Sequence, residues 1–393
     1  PLNVCCSQFG FCGTTQEFCG NNTVTQPSCS VSGNSASQKV VGYYEAWSQY
    51  RNCEQMFPNQ IPQGAWTHLN FAFAYVDPND YAVVPMDPRD IPLYRPFTDL
   101  KKTNPGLETW IAVGGWSMND PGPFSPVFRE IAADPVKQEQ FAKSLIAFME
   151  QWGFDGVVNW EYPVAEERDG RPEDLENFVT WMRNLKTQLG DYGLTLTVPA
   201  SYWYMRHFLV KELVETVDWF NMMTYDLHGI WDAPNPYVGP YVNSHTNLTE
   251  INLALDLLWR NDIPPEKVVL GLSFYGRSFT LTDPACSKPG CTFSSGARPG
   301  ICTGNEGTLS FAEIRDVFES ADNVTVTVDE PAAVEMVVFG SDQWVSYDAE
   351  QTFRMKYEYA NGKCLGGLMV WAVSQDNIEG QAQEELCAAI GCT

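Results

Sequence analysis

From Phe154 to Pro163 the chain reads Phe-Asp-Gly-Val-Val-Asn-Trp-Glu-Tyr-Pro, so a short apolar run ends on one carboxylic acid, Glu161, flanked by Trp160 and Tyr162. An acid among aromatic rings at the end of a strand is suited to protonate a leaving oxygen, while the rings stack on the apolar face of a sugar. The chemistry suggested is cleavage of a glycosidic bond. Alternation along a strand puts Val157, Asn159 and Glu161 on one face. The nearest same-face neighbour of the acid is therefore an amide and not a second acid.

Short apolar runs are expected to position this group. They recur at Val40 to Tyr44, His68 to Ala74, Thr109 to Gly114, Gly156 to Trp160, Leu194 to Pro199, Trp219 to Thr224, Val268 to Ser273 and Gly366 to Ala372. Helical patterns lie between several of them. Asp134-Pro135 opens one, with Phe141, Leu145, Phe148 and Trp152 at helical spacing and Gly153 closing it. Pro172 to Gly190 and Thr249 to Asn261 read the same way, and Ser310-x-x-Glu313 reads as a capping box. Strands alternating with helices predict a (β/α)8 barrel, whose active site lies at the strands' carboxyl ends. The predicted barrel covers 39–279 and 346–393. Residues 280–345, with Cys286, Cys291, Cys302 and a strand-like Val324 to Val328, read as an inserted α+β subdomain between the seventh and eighth strands. Residues 1–29 form a Cys- and Gly-rich module, and the Ser/Asn-rich 30–38 reads as a linker.

The bulk numbers exclude several function classes. Against 24 basic residues stand 49 acidic ones, a net charge of −25 over 393 residues, which repels phosphate backbones and anionic membranes. Nucleic acid and membrane are not expected partners, whereas a neutral polymer is compatible. Twelve cysteines and three glycosylation triplets, at Asn21, Asn247 and Asn323, point to an oxidising, extracellular location and a secreted product. No apolar run reaches about 18 residues. A signal peptide is not visible, and the abrupt start at Pro1 beside a cysteine cluster suggests that the precursor's beginning has been removed. His68, His207, His228 and His245 have no metal-ligand spacing, and no phosphate-cradling loop is visible, so no cofactor is expected.

The run around Glu161 resembles the signature of glycoside hydrolase family 18, the chitinase family, whose consensus is D-G-x-D-x-D-W-E-Y-P. Here the run is one residue short. Counting back from Glu161, Asn159 falls on the third family Asp and Val157 on the second, while Asp155 is one position out of register with the first. The resemblance implies that Glu161 is the proton donor and that the sugar's own acetamide attacks the anomeric carbon. The Asp that Asn159 replaces would orient that acetamide and offset its charge, as part of a catalytic group counted here as Glu161, Asn159, Tyr225 and Asp155. Losing such a contact commonly costs on the order of 10²-fold in rate, so Asn159→Asp is expected to restore turnover.

The resemblance runs over most of 39–393. Gly114-Gly115-Trp116-Ser117 is similar to the family's S-x-G-G region, and Met223-Thr224-Tyr225-Asp226 to its M-x-Y-D motif. Tyr275-Gly276-Arg277, Tyr44 and Trp371 are further matches, with Trp371 implied as the floor under the sugar. The implied substrate-binding set is Tyr44, Phe73, Gly115, Trp116, Tyr162, Met223, Asp226, Tyr275, Arg277 and Trp371. Trp47 and Trp231 are candidates to extend the stacking.

Cys5-Cys6-Ser7-Gln8-Phe9-Gly10-Phe11-Cys12, with Phe18-Cys19 behind, resembles the hevein-type chitin-binding domain. That family holds N-acetylglucosamine with a Ser and three aromatics, here Ser7, Phe9, Phe11 and Phe18. The two upstream cysteines of the pattern are missing, so family pairing leaves only Cys5 with Cys19 as an internal disulfide. The functional expectation is a secreted, monomeric chitinase acting on chitin and chito-oligosaccharides, weakened by Asn159. Its rival is a catalytically silent chitin-binding lectin on the same barrel.

Overall fold

A computed structural model describes residues 2–7, 11–160 and 162–392. Eight parallel strands close on themselves: β1 (Val40–Glu45), β2 (His68–Val76), β3 (Glu108–Gly114), β4 (Gly156–Trp160), β5 (Gly193–Pro199), β6 (Phe220–Met223), β7 (Val268–Ser273) and β8 (Gly367–Trp371). Closure comes from β1, which pairs with both β8 and β2. This is the (β/α)8 barrel that the alternating pattern predicts.

The helices begin and end where local chemistry allows. Asp134 caps the helix Pro135–Trp152 by accepting the Val136 N–H, Pro135 occupies the first turn, and Gly153 ends it at φ 87°. Ser310 and Glu313 form the expected capping box on the helix Phe311–Ser320. Glu313 also accepts the N–H groups of Cys302 and Thr303 at 2.9 and 2.7 Å, which fastens the preceding loop to the helix start.

Two cores follow from strand alternation. Outward-facing Val40, Tyr44, Phe71, Ile111, Val157 and Leu196 pack against the helices. Inward-facing Val41, Tyr43, Trp110, Ala112, Val158, Trp219, Val269 and Met369 fill the barrel. At its closed end Trp110 and Trp219 lie 5.0 Å apart. Gly156 lies against them because a Cβ there would come within 2.6 Å of the Trp110 ring.

Beyond β7 the chain leaves the barrel as an antiparallel sheet built from Tyr275–Leu281, Phe293–Gly296, Thr308–Ser310, Thr325–Asp329, Val334–Phe339 and Gln343–Tyr347. Phe279, Phe293, Val334, Met336 and Trp344 form its own core. The disulfide Cys53–Cys302 ties this region to the loop after β1.

All twelve cysteines pair, which corrects one expectation for the amino-terminal module. Besides Cys5–Cys19, Cys6 bonds to Cys12. The short strands Cys5–Cys6 and Cys12–Gly13 run antiparallel with Cys6 opposite Cys12, Cα atoms 4.0 Å apart, so each thiol left without its family partner meets the other. No helix among the described residues is long and apolar enough to cross a membrane.

Candidate active site

The mouth at the strands' carboxyl ends is floored by Trp371, the last residue of β8. Its ring lies 5.8 Å from Phe73 at 24° and 5.5 Å from Tyr43, and Trp47 continues the stack at 5.9 Å from Phe73. Phe73 reaches this position because the pairing of β2 with β3 shifts between Ala72 and Ala74, and the extra residue turns inward. Gly115, at φ 97°, lies over that ring: a Cβ would come within 2.9 Å of it. Next along the rim, Trp116 is half exposed, with the Arg168 guanidinium 3.8 Å from its ring centre.

Opposite stands a charged cluster from β6 and the strand after β7. One oxygen of Asp226 accepts from the Tyr275 hydroxyl at 2.6 Å and from Arg277 Nε at 2.7 Å. Beneath it, His245 is fully buried; its Nδ1 accepts the Asp226 N–H at 3.3 Å and its Nε2 lies 3.3 Å from the Tyr275 carbonyl. Burial alone would raise the Asp226 pKa, but the Arg277 charge and the hydrogen bonds around it hold the carboxyl well below the usual range. Burial also lowers the His245 pKa from its ordinary value, against the pull of Asp226. Tyr225 is buried in the barrel interior, its hydroxyl 3.7 Å from Met369 Sδ, and Met223 packs beside it. Arg277 also reaches Thr308 at 2.6 Å and lies 4.7 Å from the centre of the exposed Trp231 ring. These groups offer aromatic stacking faces beside fixed hydrogen-bond donors and an anion.

Four expected residues lie elsewhere. Asn159 does not face the barrel interior. Its neighbours in register, Val113 on β3 and Leu196 on β5, belong to the helix-side core, and the inward residue is Val158. Asn159 is 4% exposed, and its Oδ1 makes no hydrogen bond among the described residues. The deletion is thus not absorbed upstream: counted forward from Gly156, Val158 takes the second family Asp position and Asn159 an outward one.

Asp155 lies before the first residue of β4, at the closed end. Lys101 contacts both its oxygens at 2.7 Å and the Thr109 N–H donates to it at 2.8 Å, so it is a structural ion pair. Tyr44 packs outward on Phe71 and Phe97 and donates to the Met56 carbonyl at 2.8 Å; Tyr43, one residue earlier, takes the interior place. Tyr162 is buried among Phe128, Phe178 and Trp181 of the helix layer. Glu161 and Phe9 lie outside the described residues, whereas Ser7, Phe11 and Phe18 lie on the amino-terminal module, with Phe11 70% exposed. Sequence reasoning missed Tyr43 and His245; period two alone does not separate Tyr43 from Tyr44, because β1 is apolar in either phase and Phe73 sits at an irregularity of β2.

The fold is that of a parallel barrel with an aromatic, charge-paired mouth and an antiparallel insertion after its seventh strand. The family model for glycosyl hydrolases family 18 matches residues 39–376, and the chain belongs to that family. A second model, chitin recognition protein, matches residues 1–29. Secreted chitinase LysM12 of Penicillium expansum is 30% identical over 95% of this chain, and this chain spans 27% of that relative's length. The endochitinase of Brugia malayi is 31% identical over 86% of this chain and 69% of its own length. Among solved structures, the Ostrinia furnacalis group IV chitinase superposes with a TM-score of 0.79 at 28% identity, covering 90% of this chain and 98% of that one. Human YKL-39, described as a pseudo-chitinase with retained chitooligosaccharide binding, superposes at 0.78 with 25% identity, covering 90% and 98%.

Proposed function

We propose that this chain binds β-1,4-linked N-acetylglucosamine polymers along the barrel mouth, and that its hydrolytic turnover is strongly reduced relative to relatives with a complete acidic run. The phase of β4 carries this reading: Val158 faces the interior, and Asn159 turns into the helix layer. In the substrate-assisted route Glu161 protonates the leaving oxygen while the substrate acetamide closes on the anomeric carbon. The third Asp of the family run, which orients that acetamide and offsets its charge, has no acidic counterpart on the inward face: Asn159 is an amide turned to the helix layer and Val158 is apolar, a loss on the order of 10²-fold or more. Binding is supported by the intact platform of Trp371, Phe73 and Trp47 and by the Asp226–Arg277–Tyr275 cluster. The barrel supplies the cleft, the 280–345 region walls it, and residues 1–29 add a second chitin contact. Six disulfides and a relative named as secreted support an extracellular location.

The test pairs two measurements on the same chain. Tryptophan fluorescence should report saturable binding of chitohexaose, while chromatography shows product at a rate about two orders of magnitude below that of a relative with the full run. Turnover equal to that relative overturns the proposal.

A further inference from the structure

We propose that this protein bridges two separate chitin chains, because its amino-terminal module is fixed at the pole of the barrel opposite the mouth. The helix Leu248–Trp259 runs back from β6 towards the start of β7, so Arg260 and Asn261 lie at the strands' amino ends. Cys364 lies between the helix Glu350–Gly362 and β8, at that same end.

These are the residues that hold the module. Arg260 donates to the carbonyls of Asn3 at 3.0 Å and Asn22 at 3.1 Å, and Asn3 donates back to the Arg260 carbonyl and Asn261 Oδ1, both at 3.1 Å. Gln26 donates to Asp256 at 2.6 Å, and Cys29 forms a disulfide with Cys364. Leu2 is buried in the helix-side core. The connecting residues do not swing free: Ala36 is fully buried, and its N–H donates to Asn361 at 3.0 Å.

The module therefore cannot fold round to the cleft. Strands of six or seven residues, such as β1 and β3, put the poles on the order of 20 Å apart. A stiff polysaccharide lying across the mouth would have to wrap the barrel to reach Phe11 and Phe18 on the far side. One strand in the mouth and a second strand on the module is the arrangement this geometry permits. The occupant of the module is a β-1,4-linked N-acetylglucosamine chain, by the chitin recognition match over 1–29 and the exposure of Phe11 and Phe18. The inference rests on the chitin-binding reading of the mouth given above.

Two populations of chitin nanocrystals carrying different dyes would be mixed with the intact chain. Mixed clusters are expected, and Phe11→Ala combined with Phe18→Ala should lower their yield by roughly tenfold or more, the avidity lost when one of two linked sites is removed. Chitotetraose titration and light scattering would accompany the assay. Oligosaccharide binding without mixed clusters overturns bridging alone, whereas no oligosaccharide binding overturns the reading of the mouth as well. A mass double the 44.1 kDa of one chain, with clusters that survive both substitutions, assigns the bridging to a dimer and overturns the proposal.

Discussion

Arg277 and Asp226 form an ion pair at 2.7 Å across the wall of the mouth, and the same guanidinium lies beneath the exposed Trp231 ring. The pair fixes both an anion and a stacking face, so its loss should be felt twice. Arg277→Gln leaves Asp226 beside Tyr275 without its cation. Because Asp226 is 38% exposed and Arg277 20%, the cost is set below that of a fully buried pair, at about 1–3 kcal/mol. Urea unfolding should show this loss, and chitotetraose affinity should fall with it. Unchanged stability would mean that the pair is only a surface contact.

His228 is clamped between Asp232, at 2.7 Å from Nδ1, and Glu250, at 3.0 Å from Nε2. Burial works against the charged ring, but the two carboxylates outweigh it and raise its pKa from 6.5 to about 9. A folded-state pKa above the unfolded one means that protonation stabilises the fold. The contribution is complete below about pH 6.5 and is lost as pH rises through about 9, each pH unit between the two being worth about 1.4 kcal/mol. Unfolding free energy measured from pH 6 to 10 should therefore decline by about 2–3 kcal/mol more in this protein than in His228→Gln. Parallel profiles for the two proteins would contradict the clamp.

Tyr43 and Tyr44 face opposite sides of β1, so both substitutions should cost stability but only that of Tyr43 should reach the mouth. Tyr44→Phe removes the hydroxyl bonded to the Met56 carbonyl and should cost about 1 kcal/mol of stability. Chitotetraose affinity should be retained. Tyr43→Ala, which empties a fully buried place beside Trp371, should cost about 3–5 kcal/mol of stability and weaken that affinity as well. The reverse pattern would show that β1 is out of the phase described.

The barrel was legible because strands buried on both faces read as near-continuous apolar runs between amphipathic helices. That same property hides which residue faces inward. Val-Val-Gly-Tyr-Tyr suits either phase, and only packing against Trp371 selects Tyr43. Tyr162 illustrates the same limit, since its ring is claimed by Phe128 and Trp181, far away in sequence. His245 carried no signal because it meets Asp226 only through the fold. The Cys6–Cys12 pair was hidden by the family pairing, which assigns both thiols to cysteines this chain lacks. By contrast Trp371, Tyr275 and Arg277 sit in motifs whose neighbours fix their position, and the structure brings them to one mouth.

The orientation of Asn159 changes what repair of β4 requires. Asn159→Asp alone would put a carboxylate between Val113 and Leu196 in the helix-side core. A buried, unpaired polar group of this kind costs about 1–3 kcal/mol, and the charge it adds is on the wrong side of the strand. This substitution is therefore expected to lower the unfolding midpoint and leave chito-oligosaccharide turnover where it was. Insertion of one Asp between Val157 and Val158 shifts the downstream residues by one place and so exchanges their faces. The new Asp would then occupy the inward position now held by Val158, and residue 159 would turn inward. With Asn159→Asp added, the run reads D-G-V-D-V-D-W-E-Y-P, and turnover should rise by about 10²-fold or more as the acetamide regains its charged neighbour. Acceleration by Asn159→Asp alone would place that side chain in the mouth and reverse the assignment of both faces of β4.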